Sequence, residues 1–445
     1  MGDSTPCITV PISTVQPDFQ SVISDVRVGA VPEDAFWVSF YKSGEPSVHG
    51  KVHLTLDEND RSLVVFEGKD GVQFKDHGGR KYTVCCHSLN ISETRIATPA
   101  RQFSGSSSAQ ATSGFRKIHA FDIAPDGSQF AVGYEDGSIV IKPTRNTLGP
   151  YTISRPHLNT VTDLRFFPSS RVLLTAGIDL SLNILPADLP ESSANAQPVK
   201  VNSVRILKGH NRGVTATAII ARGRNVLSGA RDGTVRLWDV SSGSSISTIA
   251  TSGYAPVNAM SIGEKGEGIS AQPPNGDKNA AVTVDEREVE TTGKVALVAL
   301  QDGSFEIIDL GSKMSMYHSP KASSSLSAIS YSSAANLVAT GTSNGKISIY
   351  DTRNLSTPTL TFSRNGASIE DLVFLATQDG AGNTSLAVAT EDGLPYVVDV
   401  GPNGPSVAAE LIGTDCDPVR RVRLGSGRGE VWTAGDDGFV RQYVV

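Results

Sequence analysis

His210, Ser228 and Asp232 are the residue types of a nucleophilic triad, and Gly341-Thr342-Ser343-Asn344-Gly345 has the Gly-x-Ser-x-Gly spacing of a nucleophile elbow. An elbow needs a strand-to-helix turn in an α/β sheet, whereas this segment reads as a turn between two strands. The run GSGRGE (425–430) partly resembles a phosphate-cradling loop, but it too lies between strands and opens no helix. The sequence contains no Walker A, HExxH or EF-hand pattern. Cys7, Cys85, Cys86 and Cys416 form neither a CxxC pair nor a Cys/His cluster at metal-ligand spacing. No catalytic, cofactor-binding or metal site is therefore expected, and the Ser/His/Asp set calls for another explanation.

That explanation lies in the elements that carry it. Seven segments share one pattern: FAVGYEDGSIVIK, LLTAGIDLSLNIL, VLSGARDGTVRLWD, ALVALQDGSFEIID, LVATGTSNGKISIYD, LAVATEDGLPYVVD and VWTAGDDGFVRQY. Each is an apolar strand, a tight turn and a second, alternating strand, a hairpin signal because Asp-Gly and Asn-Gly tolerate the positive φ of such turns. The turn residues are Asp136, Asp179, Asp232, Asp302, Asn344, Asp392 and Asp437; glycine follows in six, and Leu180 is the exception. Successive turns are 43, 53, 70, 42, 48 and 45 residues apart, and most of these intervals fit the roughly 40–45 residues of a WD-repeat blade. Insertions at 186–203 and 264–294 account for the two longest and read as mobile surface loops. In such repeats His, Ser/Thr, the turn Asp and Trp form a buried hydrogen-bonded chain, here His210, Ser228, Asp232 and Trp238, which is structural rather than catalytic. Weaker echoes are His157 with Thr175 and Asp179, Thr340 with Tyr350, and Thr433 with Asp437 and Tyr443.

The expected fold is all-β: a seven-bladed WD40 β-propeller over 115–445, with a small mixed α+β N-terminal domain over 1–81. In that domain Phe19, Val22, Ile23 and Val26 share one helical face, and FWVSFY (36–41), KVHLTL (51–56) and SLVVFE (62–67) read as strands, with Phe36, Trp37 and Phe40 expected in the core. The last repeat ends after its third strand, so residues 82–114 should supply the closing outer strand, within ISETRIATPARQF, followed by a flexible Ser/Gly connection (104–114).

Lys and Arg number 39 against 46 Asp and Glu, a net charge of −7, which argues against nucleic acid as the partner. No apolar run approaches the length that spans a bilayer, and the scarce, unpatterned cysteines suit a reducing compartment, cytoplasm or nucleus. A monomeric, protein-binding chain is expected. Propellers bind through the face built from the loops leading into each blade and from the turns between second and third strands. Glu135, Arg231, Glu391 and Asp436 stand just before turn residues, and Asp415 and Asp417 lie in the loop leading into the seventh blade. These six are the candidate partner-binding residues. Their carboxylates cluster over the sixth, seventh and first blades, a sector that would favour a basic partner.

TVTDLRFFPSSRVLLTAGIDLSLNIL and RILKGHNRGVTATAIIARGRNVLSGARDGTVRLWDVSSG, together with AFWVSFYKSGEPSVHG near the N-terminus, closely resemble the proteasomal ATPase-associated factor family. The resemblance is strongest over 155–243, while the 264–294 insertion and the loss of Trp from most blades depart from it. It implies a chaperone for assembly of the base of the 19S regulatory particle. Such a protein binds the C-terminal domain of one proteasomal ATPase subunit and sterically delays docking on the core particle. A generic WD-repeat scaffold, such as a ubiquitin-ligase substrate adaptor or a chromatin reader, is the alternative.

Overall fold

The computed structural model describes residues 7–57, 60, 63–104, 116–145, 149–190, 198–266, 268–269, 285–375, 384–414 and 416–445. The expected hairpins form at each of the seven turns. Gly137, Gly233, Gly303, Gly345, Gly393 and Gly438 all have positive φ, as does Leu180 at 71° in the one turn without glycine.

Each hairpin is flanked by an inner and an outer strand, giving seven sheets with at least four strands apiece. The inner strands are Ile118–Ile123, Val161–Phe166, Val214–Ile220, Val257–Glu264, Leu326–Ser332, Ile369–Phe374 and Val419–Leu424. Each lies beside the next, and the seventh lies beside the first, so the sheets close into a ring of seven blades. A separate apolar core fills every gap between neighbouring blades; Trp432, Phe103, Phe121 and Phe130, for example, join the seventh blade to the first. Buried on both faces, the middle strands are nearly continuous in apolar residues, as Val295–Leu300 shows.

An inner strand has one free edge toward the channel, and its N–H groups there need partners. At five of the seven junctions a side chain of the preceding blade supplies one. Asp122 accepts from the Phe166 N–H at 2.7 Å, Asp163 from Thr217 at 2.8 Å, Ser261 from Tyr331 at 3.1 Å, Ser330 from Phe374 at 3.4 Å and Asp371 from Val422 at 3.2 Å. The blades are thus stapled in chain order.

The closing strand is Arg101–Ser104, antiparallel to Phe439–Val444, at the far end of the stretch expected to contain it. Residues 82–97, expected in the closing segment, instead belong to the N-terminal module. Strands Val72–Asp76, Lys81–Cys86 and Ile91–Ala97 share one core with the helix Phe19–Arg27 and with strands Glu33–Tyr41 and Val48–Leu56. Ile91–Ala97 also pairs in parallel with Gly404–Leu411, so the module continues the sixth blade's sheet. Ile8–Thr9 adds to the fifth blade beside Leu360–Ser363. Between these contacts Arg364 pairs with Glu410, both buried, and donates to the Pro11 carbonyl, while the Ser13 N–H donates to Glu410 at 2.9 Å. The helix buries Phe19, Val22, Ile23 and Val26 as its spacing predicts. Trp37 departs from expectation: strand alternation turns Phe36 inward and leaves Trp37 41% exposed.

The two insertions are tied down where they are described, contrary to the reading as mobile loops. Val199–Lys200 returns as an extra strand on the first blade, and Val289 and Arg287 bond the side chain of Asn225 on the third. Residues 191–197 and 270–284, like most of the 104–114 connection, lie outside the described residues.

Candidate functional site: the loop face

The His210 set forms an unbroken chain in the third blade. Trp238 Nε1 donates to Ser228 Oγ at 2.8 Å, Ser228 Oγ lies 2.7 Å from His210 Nε2, and His210 Nδ1 lies 2.9 Å from Asp232 Oδ2. Ser228 already accepts from the indole, so its proton goes to Nε2, and the neutral Nδ1–H tautomer satisfies every member. Burial, the largest influence, holds His210 below the usual imidazole range and agrees with that neutral form. Burial also opposes the charge on Asp232, but bonds from Thr234, Asn211 and His210 outweigh it and hold the carboxyl below its ordinary value. The chain fixes the turn to the loop leading into its own blade. Every member is occupied, which leaves the serine no free base and no room for a substrate.

The second blade repeats this arrangement, with His157 2.9 Å from Asp179 and 2.8 Å from Thr175. The other two echoes take different partners. Thr340 donates weakly to the Ser348 carbonyl at 3.4 Å, and Tyr350 packs edge-on against Phe305 instead. Tyr443 donates to the Ile412 carbonyl, and Asp437 pairs with Arg441. Those blades have no histidine in the leading loop: Tyr443 turns to a backbone carbonyl instead, and Thr433 Oγ1 is buried with no hydrogen-bond partner among the described residues. Ser343 of the Gly-x-Ser-x-Gly segment accepts from Ser325 on an exposed turn, and in the 425–430 loop the Glu430 carboxylate occupies the Gly427 N–H.

The second residue of each inner strand sits on a bulge where the register with its neighbour shifts. Thr162, Thr215, Asn258 and Ser327 hold this position in blades two to five. Each donates from its side chain to the first carbonyl of the next inner strand, at 2.5–2.8 Å. The pattern stops at Glu370, Arg420 and His119 in blades six, seven and one. Arg420 binds Asp436 through two nitrogens, each at 2.9 Å, and reaches Glu370 at 3.0 Å. His119 Nε2 is buried with no hydrogen-bond partner among the described residues. The ring therefore departs from its repeat in the sector where the carboxylates converge.

Within that sector Glu135, Glu391 and Asp417 are exposed on the loop face, and Arg231 is exposed across the ring on the third blade. Asp436 is corrected: it is only 6% exposed and is consumed by Arg420 and Lys117. Burial works against its charge, but these cations outweigh it and hold the carboxyl below the ordinary range. Asp436 builds the sector without presenting itself to a partner. Asp415 lies outside the described residues. The role of Arg420 was missed, although the run Glu370, Arg420, His119 breaking a series of Thr, Asn and Ser was visible once the inner strands were aligned.

Deeper in the channel, Arg423 pairs with Asp371, lies 3.4 Å from Asp122 and 3.9 Å from Asp163, and so ties blades seven, six, one and two across a cavity of about 150 Å³. Arg165, 3.6 Å from Asp163, adds a second cation to these three carboxylates, and burial pushes the Asp122 carboxyl up; the arrangement reads as a structural hub.

The closed ring of hairpin blades defines a WD40 β-propeller, and the WD domain, G-beta repeat model matches residues 201–239. Among curated proteins the chain is similar to the probable proteasomal ATPase-associated factor 1 of Dictyostelium discoideum, 27% identical over 92% of each chain. It is 29% identical to the human proteasomal ATPase-associated factor 1 over 42% of this chain and 43% of that one. A partial likeness, 27% over 39% of this chain and 46% of the relative, reaches the pre-rRNA-processing protein crb3/ipi3 of Schizosaccharomyces pombe. The family resemblance read from the sequence is supported along nearly the whole chain, the N-terminal module included.

Proposed function

We propose that this chain is a non-catalytic chaperone for assembly of the base of the 19S regulatory particle. It binds the C-terminal domain of a proteasomal ATPase subunit through the loop face and sterically delays docking on the core particle. The observation that carries this reading is the similarity to the Dictyostelium factor across both the module and the propeller, 92% of each chain. A likeness through WD repeats alone would cover only part of the chain, as the 39% shared with the pre-rRNA-processing protein illustrates. Glu135, Glu391 and Asp417 give the face a cluster of exposed carboxylates suited to a basic domain. Blocking a surface needs no chemistry, which fits a face where His157, His210 and Ser228 are spent on structure. Cytoplasm and nucleus are the compartments in which such a chaperone would act.

Steric delay is tested by competition. Purified proteasomal ATPase assemblies are offered immobilised core particle with and without this chain. Retention on the core particle should fall as the chain is added; equal retention at saturating chain would rule out occlusion.

A further inference from the structure

Opposite the carboxylates, over blades two to four, the same face has a different chemistry. Leu158 is 89% exposed, Tyr254 66%, Ile178 41% and Leu180 40%. They form one continuous path. The Leu158 N–H bonds Asp179 in the turn that carries Ile178 and Leu180, and Ile178 packs against Gly213. The Gly213 carbonyl accepts the Arg231 N–H, and the turn glycine Gly233 abuts Tyr254. Arg212 and Arg231 stand exposed within this path, while the nearby turn carboxylates, Asp179 and Asp232, are committed to His157 and His210. The sector is thus apolar and cationic.

Two of its large side chains are held at a conformational cost. Leu180 has φ of 71° where the other six turns have glycine, and Tyr254 has φ of 54°. A bulky residue in the left-handed region, with its side chain in solvent, contributes little to folding. Such strain gathers where a surface is organised to bind.

We propose that Leu158, Ile178, Leu180, Tyr254, Arg212 and Arg231 form a second docking surface, which takes a protein segment carrying carboxylates beside large apolar side chains. The occupant follows from charge and surface type: guanidinium groups with no carboxylate partner among the described residues select acid, and exposed Leu and Tyr select apolar anchors. This surface stands apart from the carboxylate sector, and its partner has the opposite charge.

A phage-displayed library of short random peptides is selected on the immobilised full chain, and synthetic copies of the enriched peptides are measured by fluorescence anisotropy. Enriched sequences should combine Asp or Glu with Leu, Phe or Trp. Their affinity should fall about tenfold or more in Arg212→Glu/Arg231→Glu and in Leu158→Ser/Tyr254→Ser. Leu180→Gly, which relieves the backbone, should keep or raise Tm yet weaken binding, a split that a purely structural residue does not give. Glu135→Lys/Glu391→Lys/Asp417→Lys should leave this binding intact, so failure of the proposed ATPase contact is told apart from failure here. Absence of enrichment, enrichment of basic peptides, or affinity unmoved by the arginine and leucine variants overturns the proposal.

Discussion

Ser228 is shared by Trp238 and His210, and its loss orphans two buried groups at once. Ser228→Ala should therefore destabilise the chain by roughly 1–3 kcal/mol in urea unfolding, more than Thr175→Ala, which removes the partner of His157 Nε2 and a long, 3.3 Å bond to the Asn183 carbonyl. The same imidazole sets a pH dependence. His210 is held below its ordinary pKa, so on acidification the unfolded chain takes up a proton that the folded one resists. Its stabilisation is complete above about pH 6.5 and is lost as pH falls below that value, with a slope of at most about 1.4 kcal/mol per pH unit. Asp179, lowered to about 2 because bonds from His157, Leu158 and Ser181 outweigh its burial, adds stability that disappears between about pH 4 and 2. Urea titrations at pH 7 and 5 should show a smaller pH effect in His210→Gln than in the unaltered chain. His119, also lowered by burial, acts in the same direction, while the carboxyls of Asp122, Glu306 and Glu410, raised by burial, act against it. An unchanged difference between the two pH values would mean that His210 titrates normally in the folded state. At this scale the third-blade chain was readable because its members recur at fixed positions around one turn. The burial of Asp436 was not, since Arg420 comes from the blade's inner strand and Lys117 from another blade.

At the scale of elements, the ring is closed by a strand of only four residues. Phe103 anchors it, 5.1 Å from the Phe130 ring and 5.6 Å from Trp432. Phe103→Ala should cost about 3–5 kcal/mol, by cavity formation at the seam, and should appear as a lowered Tm. The N-terminal module depends on a different contact, the buried Arg364–Glu410 pair. Arg364→Met strands the carboxylate and should cost about 3–5 kcal/mol, while Arg364→Met/Glu410→Leu should recover much of that loss in thermal unfolding. If the double variant is no more stable than the single, the pair acts through the Pro11 and Leu394 carbonyls rather than through charge. The hairpins could be read from the sequence because each carries its turn chemistry between its own strands. The parallel pairing of Ile91–Ala97 with Gly404–Leu411 could not, because its partners lie some three hundred residues apart and no turn links them. The tethered ends of both insertions escaped notice for the same reason: Pro, Ser and charged residues suggest exposure, and Asn225 gives no local sign that it captures Val289.

On the scale of the whole molecule, a closed disc presents two chemistries on one face. Exposed carboxylates lie over blades six, seven and one, and apolar side chains with arginines lie over blades two to four. Net charge alone, at −7, concealed this division. The module continues blade six, and its Ser13, Thr14 and Val15 lie beside the blade-six turn at Gly393, next to Glu391 of the acidic sector. The most direct test of the account is titration calorimetry of the full chain with the separated C-terminal domains of the proteasomal ATPase subunits. One domain should bind with Kd of about 1 µM or tighter, weakening as salt rises and falling about tenfold or more in Glu135→Lys/Glu391→Lys/Asp417→Lys. No heat with any domain at tens of micromolar, or an affinity indifferent to both salt and those reversals, would contradict it.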